Sequence, residues 1–142
     1  MKVVAYSIKT FEKEPLAIAN HKKHEITLIS NALTEDTASY AEGKEAVVVY
    51  DGDVVSARVI DQLADLGVKY ISTRSSDTEN IDRTAAERRQ IKIANVPSYL
   101  LAELDATERT SILAAETIKN LDNWQNTTCL GNACICARSC RS

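Results

Sequence analysis

The sequence is poor in glycine, and its glycines lie far apart. Gly43, Gly52, Gly67 and Gly131 are the only four in 142 residues. A dinucleotide-binding turn of the form G-x-G-x-x-G needs closely spaced glycines, because the backbone must approach a pyrophosphate closely. The sequence therefore lacks this fingerprint, and we predict no cofactor site within the chain itself.

Long apolar runs and an excess of positive charge are also missing. The longest apolar runs are about five residues, far short of the roughly 20 needed to span a bilayer. The formal net charge is −3 with both signs interspersed, which predicts neither a nucleic acid nor a membrane partner. The amino terminus enters a strand without the layout of a signal peptide. These features predict a cytoplasmic protein.

Cysteine is absent from residues 1–128, so it cannot form a disulfide framework for the fold. The four thiols are closely spaced at the other end of the chain, at Cys129, Cys134, Cys136 and Cys140. Thiolates suit Zn or Fe–S, but the paired C-x2-C of ordinary zinc sites is missing. We predict a flexible cysteine-rich tail over residues 126–142, with a metal site as the less favoured alternative.

Apolar segments alternate with helical segments along the rest of the chain. Strands are predicted at residues 2–8, 25–29, 46–50, 68–72 and 91–94, and helices at residues 11–20, 34–42, 56–66, 81–89 and 104–124. This alternation predicts right-handed βαβ units and an α/β, flavodoxin-like three-layer fold. We expect a five-stranded parallel sheet of order 2-1-3-4-5 in one domain, residues 1–125, built from residues 1–99 plus the last helix.

Some polar positions are predicted to face solvent. The last helix places Leu113, Ala114, Ile118, Leu121 and Trp124 on one side and Glu116, Lys119, Asn120 and Asn123 on the other. The two histidines, His21 and His24, follow a predicted helix and precede an outer strand. We interpret both as solvated surface residues rather than catalytic groups.

Two polar loops, at residues 74–82 and 95–99, follow the fourth and fifth predicted strands. Loops at the carboxyl ends of parallel strands form the ligand crevice of such sheets. Their sequences, Tyr70-Ile-Ser-Thr-Arg-Ser, Asn80-Ile-Asp and Asn95-Val-Pro-Ser-Tyr, resemble the D-2-hydroxyacid dehydrogenase family and its D-lactate dehydrogenases in particular. Residues 1–99 resemble the substrate-binding (catalytic) domain of that family, and residues 107–124 its last helix.

The resemblance implies a substrate site at these loops. It implies that Tyr50 lines the pocket for the substrate's side chain and that Tyr99 closes the far side of the cleft. The backbone N–H groups of Ser76, Asp77 and Thr78 would face the substrate carboxylate. A glycine usual in the family is replaced here by Asp77, while the usual acid is kept as Glu79. The added negative charge predicts weakened binding of a 2-hydroxy or 2-keto acid.

The family's NAD-binding segment, with its catalytic Arg, His and Glu, has no counterpart between residues 99 and 107. We therefore expect no catalytic residue and no cofactor here, although NAD serves the parent family. The favoured interpretation is a truncated or engineered substrate-binding domain, inactive alone, and monomeric or weakly dimeric. Polar residues at Arg109 and Thr110, where the family is apolar or small, favour engineering over a natural truncation. The alternatives are an enzyme half that needs a cofactor domain in trans and a regulatory module that binds metal through its cysteine tail.

Overall fold

The computed structural model describes residues 1–126, which form a parallel sheet between two helical layers. The strands are β1 (Lys2–Ala5), β2 (Glu25–Leu28), β3 (Ala46–Val49), β4 (Tyr70–Thr73) and β5 (Lys92–Ala94). Their order is β2-β1-β3-β4-β5, and every neighbouring pair is parallel. The predicted flavodoxin-like α/β fold, with β3 at the centre, is confirmed.

The helices cover both faces of the sheet. They are α1 (Thr10–Asn20), α2 (Ala57–Asp65), α3 (Arg83–Arg88) and α4 (Ala106–Gln125). Val47 and Val49 of β3 point into the core under α2 and α3, while Ala46 and Val48 point to the core under α1 and α4. Such two-sided burial explains why this strand is a continuous apolar run. No helix among residues 1–126 has both the length and the apolar character that crossing a membrane requires.

Polar side chains start three of the helices. Ser56, Asp82 and Asp105 accept hydrogen bonds from the backbone N–H groups of Val59, Ala85 and Glu108 at 3.3, 3.0 and 2.8 Å, respectively. Capping of this kind satisfies backbone donors that have no partner within the helix. Each cap lies within two residues of the predicted helix start.

Most predicted elements match the structure to within two residues at each end, and three of the differences have a structural reason. The helix expected over residues 34–42 is a 3₁₀ helix at Ala38–Ala41, because the Thr34 hydroxyl accepts from the N–H groups of Asp36 and Thr37 and forms a local turn instead. The strand expected over residues 2–8 ends at Ala5, and Ser7 has a left-handed φ of 57°. The helix expected from residue 81 begins at Arg83, because Asp82 is its cap.

Two polar residues predicted on the surface are buried. The side chain of His24 is 1% exposed, and its Nε2 lies 2.7 Å from Oδ1 of Asp122. The other carboxylate oxygen of Asp122, Oδ2, bonds Lys23 at 2.6 Å. Partial burial raises the pKa of Asp122, but hydrogen bonds from Lys23 and His24 outweigh it and hold that pKa below its usual value. Asn120 is 3% exposed and donates to the backbone oxygen of Asn95 at 3.1 Å. The surface assignments of His24 and Asn120 were wrong, whereas His21 is exposed as predicted.

The central position of β3 generates a prediction about its core residues. Val48→Asp places an unpaired charge at a site that is 2% exposed, so we expect loss of the cooperative fold and a poorly dispersed NMR spectrum. The matched control is Val54→Asp, because Val54 is 71% exposed and its replacement should leave the spectrum dispersed. A dispersed, native-like spectrum for Val48→Asp contradicts the packing described here.

Candidate functional site

A buried guanidinium links the segments that follow β1 and β4 to helix α1. Arg74 is 1% exposed, and its Nε donates to Oε2 of Glu12 at 2.7 Å. Its two Nη atoms donate to the backbone oxygens of Tyr6 and Ser7, each at 3.1 Å. The Cζ atom also lies 5.4 Å from the ring centre of Tyr50. The charge is thus fully compensated inside the protein, as burial of a charge requires.

A buried carboxylate fixes the neighbouring loops. Asp53 is 1% exposed and accepts from the Ser7 hydroxyl at 2.6 Å, the Tyr50 N–H at 2.9 Å and the Leu33 N–H at 3.2 Å. Ser7 needs this support, because a left-handed φ is uncommon for a residue other than glycine. Burial, together with the nearby charges of Tyr40 and Asp53, raises the pKa of Tyr6, so its hydroxyl remains a neutral donor to the Thr37 backbone oxygen at 2.7 Å.

The loop after β4 is held by amide side chains. Asn80 Nδ2 donates to the backbone oxygens of Tyr50 at 3.0 Å and Asp53 at 2.7 Å. Asn95 Nδ2 donates to the Ser76 oxygen at 2.9 Å. These three hydrogen bonds connect the loop to the backbone after β3 and to the segment after β5.

Within that loop, one of the backbone N–H groups predicted to face the substrate carboxylate already has a hydrogen-bond partner. The N–H of Asp77 donates to the Ser75 hydroxyl at 3.0 Å, and the Asp77 carboxylate accepts from the Glu79 N–H at 2.8 Å. The carboxylate therefore closes a local turn of the kind that Asp favours. A ligand would have to displace Ser75 to use the N–H of Asp77.

A small polar cavity of about 110 Å³ lies at the carboxyl ends of β3 and β4, and we call it the strand-end cavity. It is lined by Tyr50, Asp51, Arg74, Ser75, Ser76, Leu101, Arg109 and Leu113. Of the five residues predicted for the site, Tyr50 and Ser76 are brought together here. Asp77, Thr78 and Tyr99 are not among its lining residues, and Tyr99 is 66% exposed. The roles assigned to these five residues remain predictions.

The sequence placed Arg74 at the start of a predicted site loop, but neither Arg74 nor Arg109 was given a role there. The available signal was the position of Arg74 directly after an apolar strand segment. An arginine at such a position is buried only if it has an acidic partner. Its partner Glu12 lies 62 residues away, so no local pattern identifies the pair. Arg109 lies in the first turns of α4 and reaches the cavity only because that helix packs beside α1.

No metal centre is formed by residues 1–126, since they contain no group of three or more His, Cys, Asp or Glu side chains suited to a metal ion. The four cysteines lie outside the described residues. The flexible tail and its metal-binding alternative therefore remain predictions.

Comparison with known proteins identifies the class to which this fold and these loops belong. The family described as "D-isomer specific 2-hydroxyacid dehydrogenase, catalytic domain" matches residues 3–134. The chain belongs to this family, and the resemblance found in the sequence is confirmed.

Three relatives show the extent of the match. The chain is 33% identical over 126 residues to the D-lactate dehydrogenase of Lactiplantibacillus plantarum. This match covers 84% of the chain and 38% of that relative. The apo structure of Escherichia coli D-lactate dehydrogenase matches with a TM-score of 0.67 and 37% identity over 68% of the chain and 32% of that enzyme. The NAD-complexed D-isomer specific 2-hydroxyacid dehydrogenase of Lactobacillus delbrueckii ssp. bulgaricus matches with a TM-score of 0.63 and 27% identity. That match covers 68% of the chain and 30% of the enzyme's own chain. The chain thus spans about a third of the length of these relatives.

The Arg74 contacts generate a stability prediction. Arg74→Met leaves the Glu12 carboxylate, which is 13% exposed, without its partner, so we expect the free energy of unfolding to fall by about 3–5 kcal/mol. Arg58→Met is the control, because Arg58 and Glu35 form an ion pair that is 79% and 52% exposed, and its loss should cost at most about 1 kcal/mol. Urea unfolding measures both variants. Equal losses in the two variants contradict the structural role given to Arg74.

Proposed function

We propose that this chain is the substrate-binding domain of a D-lactate dehydrogenase-like, NAD-dependent 2-hydroxyacid oxidoreductase, and that the 142-residue polypeptide has no turnover by itself. The observation that carries the proposal is the strand-end cavity, which joins Tyr50 and Ser76 at the edge of the sheet where ligands bind in such folds. Family membership and the D-lactate dehydrogenase relatives support the substrate class.

The size and charge of the strand-end cavity support a small organic acid as its ligand. Its volume of about 110 Å³ is well below the roughly 300–1,000 Å³ of clefts that hold drug-sized ligands. Arg74, Arg109 and Asp51 line it, and the Arg74 charge is offset by Glu12. Arg109 is then the remaining cation of the lining and Asp51 its remaining anion, so a carboxylate is attracted to the part of the cavity beside Arg109.

What the cavity and the sequence supply supports the proposed absence of turnover. Neither His21 nor His24 lines the strand-end cavity, and His24 bonds Asp122 instead. The sequence has no glycine-rich turn to hold NAD. Without a site that holds the hydride donor beside the acceptor, the reaction barrier is higher by on the order of 7–11 kcal/mol. A truncated or engineered origin, a cytoplasmic location and a monomeric or weakly dimeric state remain predictions.

An enzyme half that acts with a cofactor domain in trans is the second candidate. It is favoured by two exposed aromatic rings near the cavity, because Phe11 is 66% exposed and Tyr50 is 36% exposed. Exposed apolar rings beside a ligand site are typical of a surface that another domain covers.

A turnover assay tests the proposal. With excess pyruvate and NADH, we expect the purified chain to cause no decrease in NADH absorbance, because the hydride donor is never held. Adding a separately produced nucleotide-binding domain of a D-lactate dehydrogenase tests the second candidate, which predicts that NADH oxidation then begins. Turnover by the chain alone that survives further purification contradicts the proposal.

Charge removal in the loop tests the ligand class. Asp77→Asn keeps the oxygen that accepts from Glu79 and removes one negative charge near the cavity. Two unit charges in contact interact by about 1 kcal/mol in water, so we expect pyruvate to bind more tightly in an NMR titration, by at most about fivefold. Asp36→Asn is the control, since it makes the same change in net charge at an exposed turn. Equal affinities in the two variants contradict an anion site at this loop.

A further inference from the structure

The peptide unit that joins Asn95 to Val96 lies directly after β5 and is held from two sides. Its carbonyl oxygen accepts a hydrogen bond from Nδ2 of Asn120 in α4 at 3.1 Å. Its N–H donates to the backbone oxygen of Ser75 at 3.0 Å. Because a trans peptide unit is planar, the direction of its C=O fixes the direction of its N–H. The bond from Asn120 therefore aims this N–H at the loop after β4.

The side chain of Asn95 adds a second link to the same loop. Its Nδ2 donates to the backbone oxygen of Ser76 at 2.9 Å. Ser75 and Ser76 both line the strand-end cavity, so the segment after β5 holds two consecutive residues of the cavity wall. A rotation of the Asn95–Val96 peptide unit would break the bond to Ser75 and displace that wall.

An amide is an uncommon choice for the position of Asn120. The residue is 3% exposed, and the neighbouring buried residues of the helix are apolar, namely Ile118, Leu121 and Trp124. A buried amide costs free energy unless it is hydrogen-bonded, and a leucine of similar volume would bury more apolar surface. The bond to the Asn95 oxygen, 25 residues away, is the contact that a leucine could not make.

The part of α4 that carries Asn120 is itself fixed. Asp122 follows closely in the same helix and bonds Lys23 at 2.6 Å and His24 at 2.7 Å. Both partners belong to the segment between α1 and β2. A donor can position a loop only if its own location is determined, and these two contacts meet that condition.

We propose that Asn120 is a positioning residue for the small-acid site, acting through the Asn95–Val96 peptide unit on the loop at Ser75 and Ser76. The inference rests on the proposed function, because it takes the strand-end cavity as the site of a 2-hydroxy or 2-keto acid. It adds a role for a residue that is not among the lining residues of that cavity. The apparent affinity of a ligand falls with the fraction of chains that hold the competent conformation. Loss of the Asn120 bond thus weakens binding without removing a ligand contact.

The first comparison is made without ligand, between Asn120→Leu and the control Thr117→Val. Thr117 is also buried in α4, but its hydroxyl has no hydrogen-bond partner among residues 1–126. One hydrogen bond shifts an equilibrium by about two- to tenfold. We therefore expect Asn120→Leu to speed hydrogen exchange at the Val96 N–H by about that factor and to shift the NMR signals of the Asn95 side-chain amide. Thr117→Val should change neither.

The second comparison is the affinity for pyruvate, measured by NMR titration at a temperature at which every variant is folded. We expect Asn120→Leu to bind about two- to tenfold more weakly than the parent chain, and Thr117→Val to bind equally well. Asn120→Gln keeps an amide donor, so its affinity should lie between those of the parent chain and Asn120→Leu. Asn120→Ala removes the amide without adding bulk and takes the place of Asn120→Leu if the leucine prevents folding.

Three results overturn the inference. The first is an unchanged exchange rate at Val96 in Asn120→Leu. The second is equal pyruvate affinity in Asn120→Leu and the parent chain, because a bond that only stabilises the fold changes the unfolding temperature and not the affinity. The third is an equal loss of affinity in Thr117→Val, which would indicate a general loosening of α4. If the parent chain binds no pyruvate, the proposed function is contradicted, and the exchange comparison still decides whether Asn120 positions the loop.

Discussion

The buried Arg74 guanidinium is the interaction on which the site depends. Removing such a charge from water costs several kcal/mol unless a partner and hydrogen bonds offset it. Glu12 of α1 and the backbone oxygens that follow β1 provide that compensation. Because Arg74 itself follows β4 and its partners lie after β1 and in α1, the one side chain positions the end of β1, the end of β4 and the first turn of α1. The Tyr50 ring, which is a predicted substrate contact, lies against the same group.

A second layer of polar contacts extends this constraint to the loops. Asp53 connects the left-handed Ser7 to the backbone after β3, and Asn80 connects that backbone to the loop after β4. A backbone conformation that is costly in isolation persists only where several bonds determine it. The strand-end cavity is thus ordered before any ligand binds, which reduces the entropy that binding must offset.

The elements that were predicted correctly are those specified by neighbouring residues. The apolar run before Tyr50 marks the central strand, and Ser56 marks a helix start, because each signal lies within one turn of the structure it determines. His24, Asn120 and Arg74 were interpreted wrongly or overlooked for the opposite reason. Their partners lie 98, 25 and 62 residues away in the chain, and only the packing of helices and strands brings them together. A polar residue with a distant partner therefore cannot be distinguished from a solvated one by local pattern.

The most direct test of the central claim is a crystal structure of the chain in complex with pyruvate. We expect the ligand to lie in the strand-end cavity, with its carboxylate near Ser76 and Arg109 and its methyl group toward Tyr50. We also expect the Arg74 contacts to Glu12, Tyr6 and Ser7 to be unchanged by the ligand. Pyruvate bound only at another surface, or a strand-end cavity that stays empty at saturating pyruvate, would contradict the assignment of this domain as a substrate-binding unit.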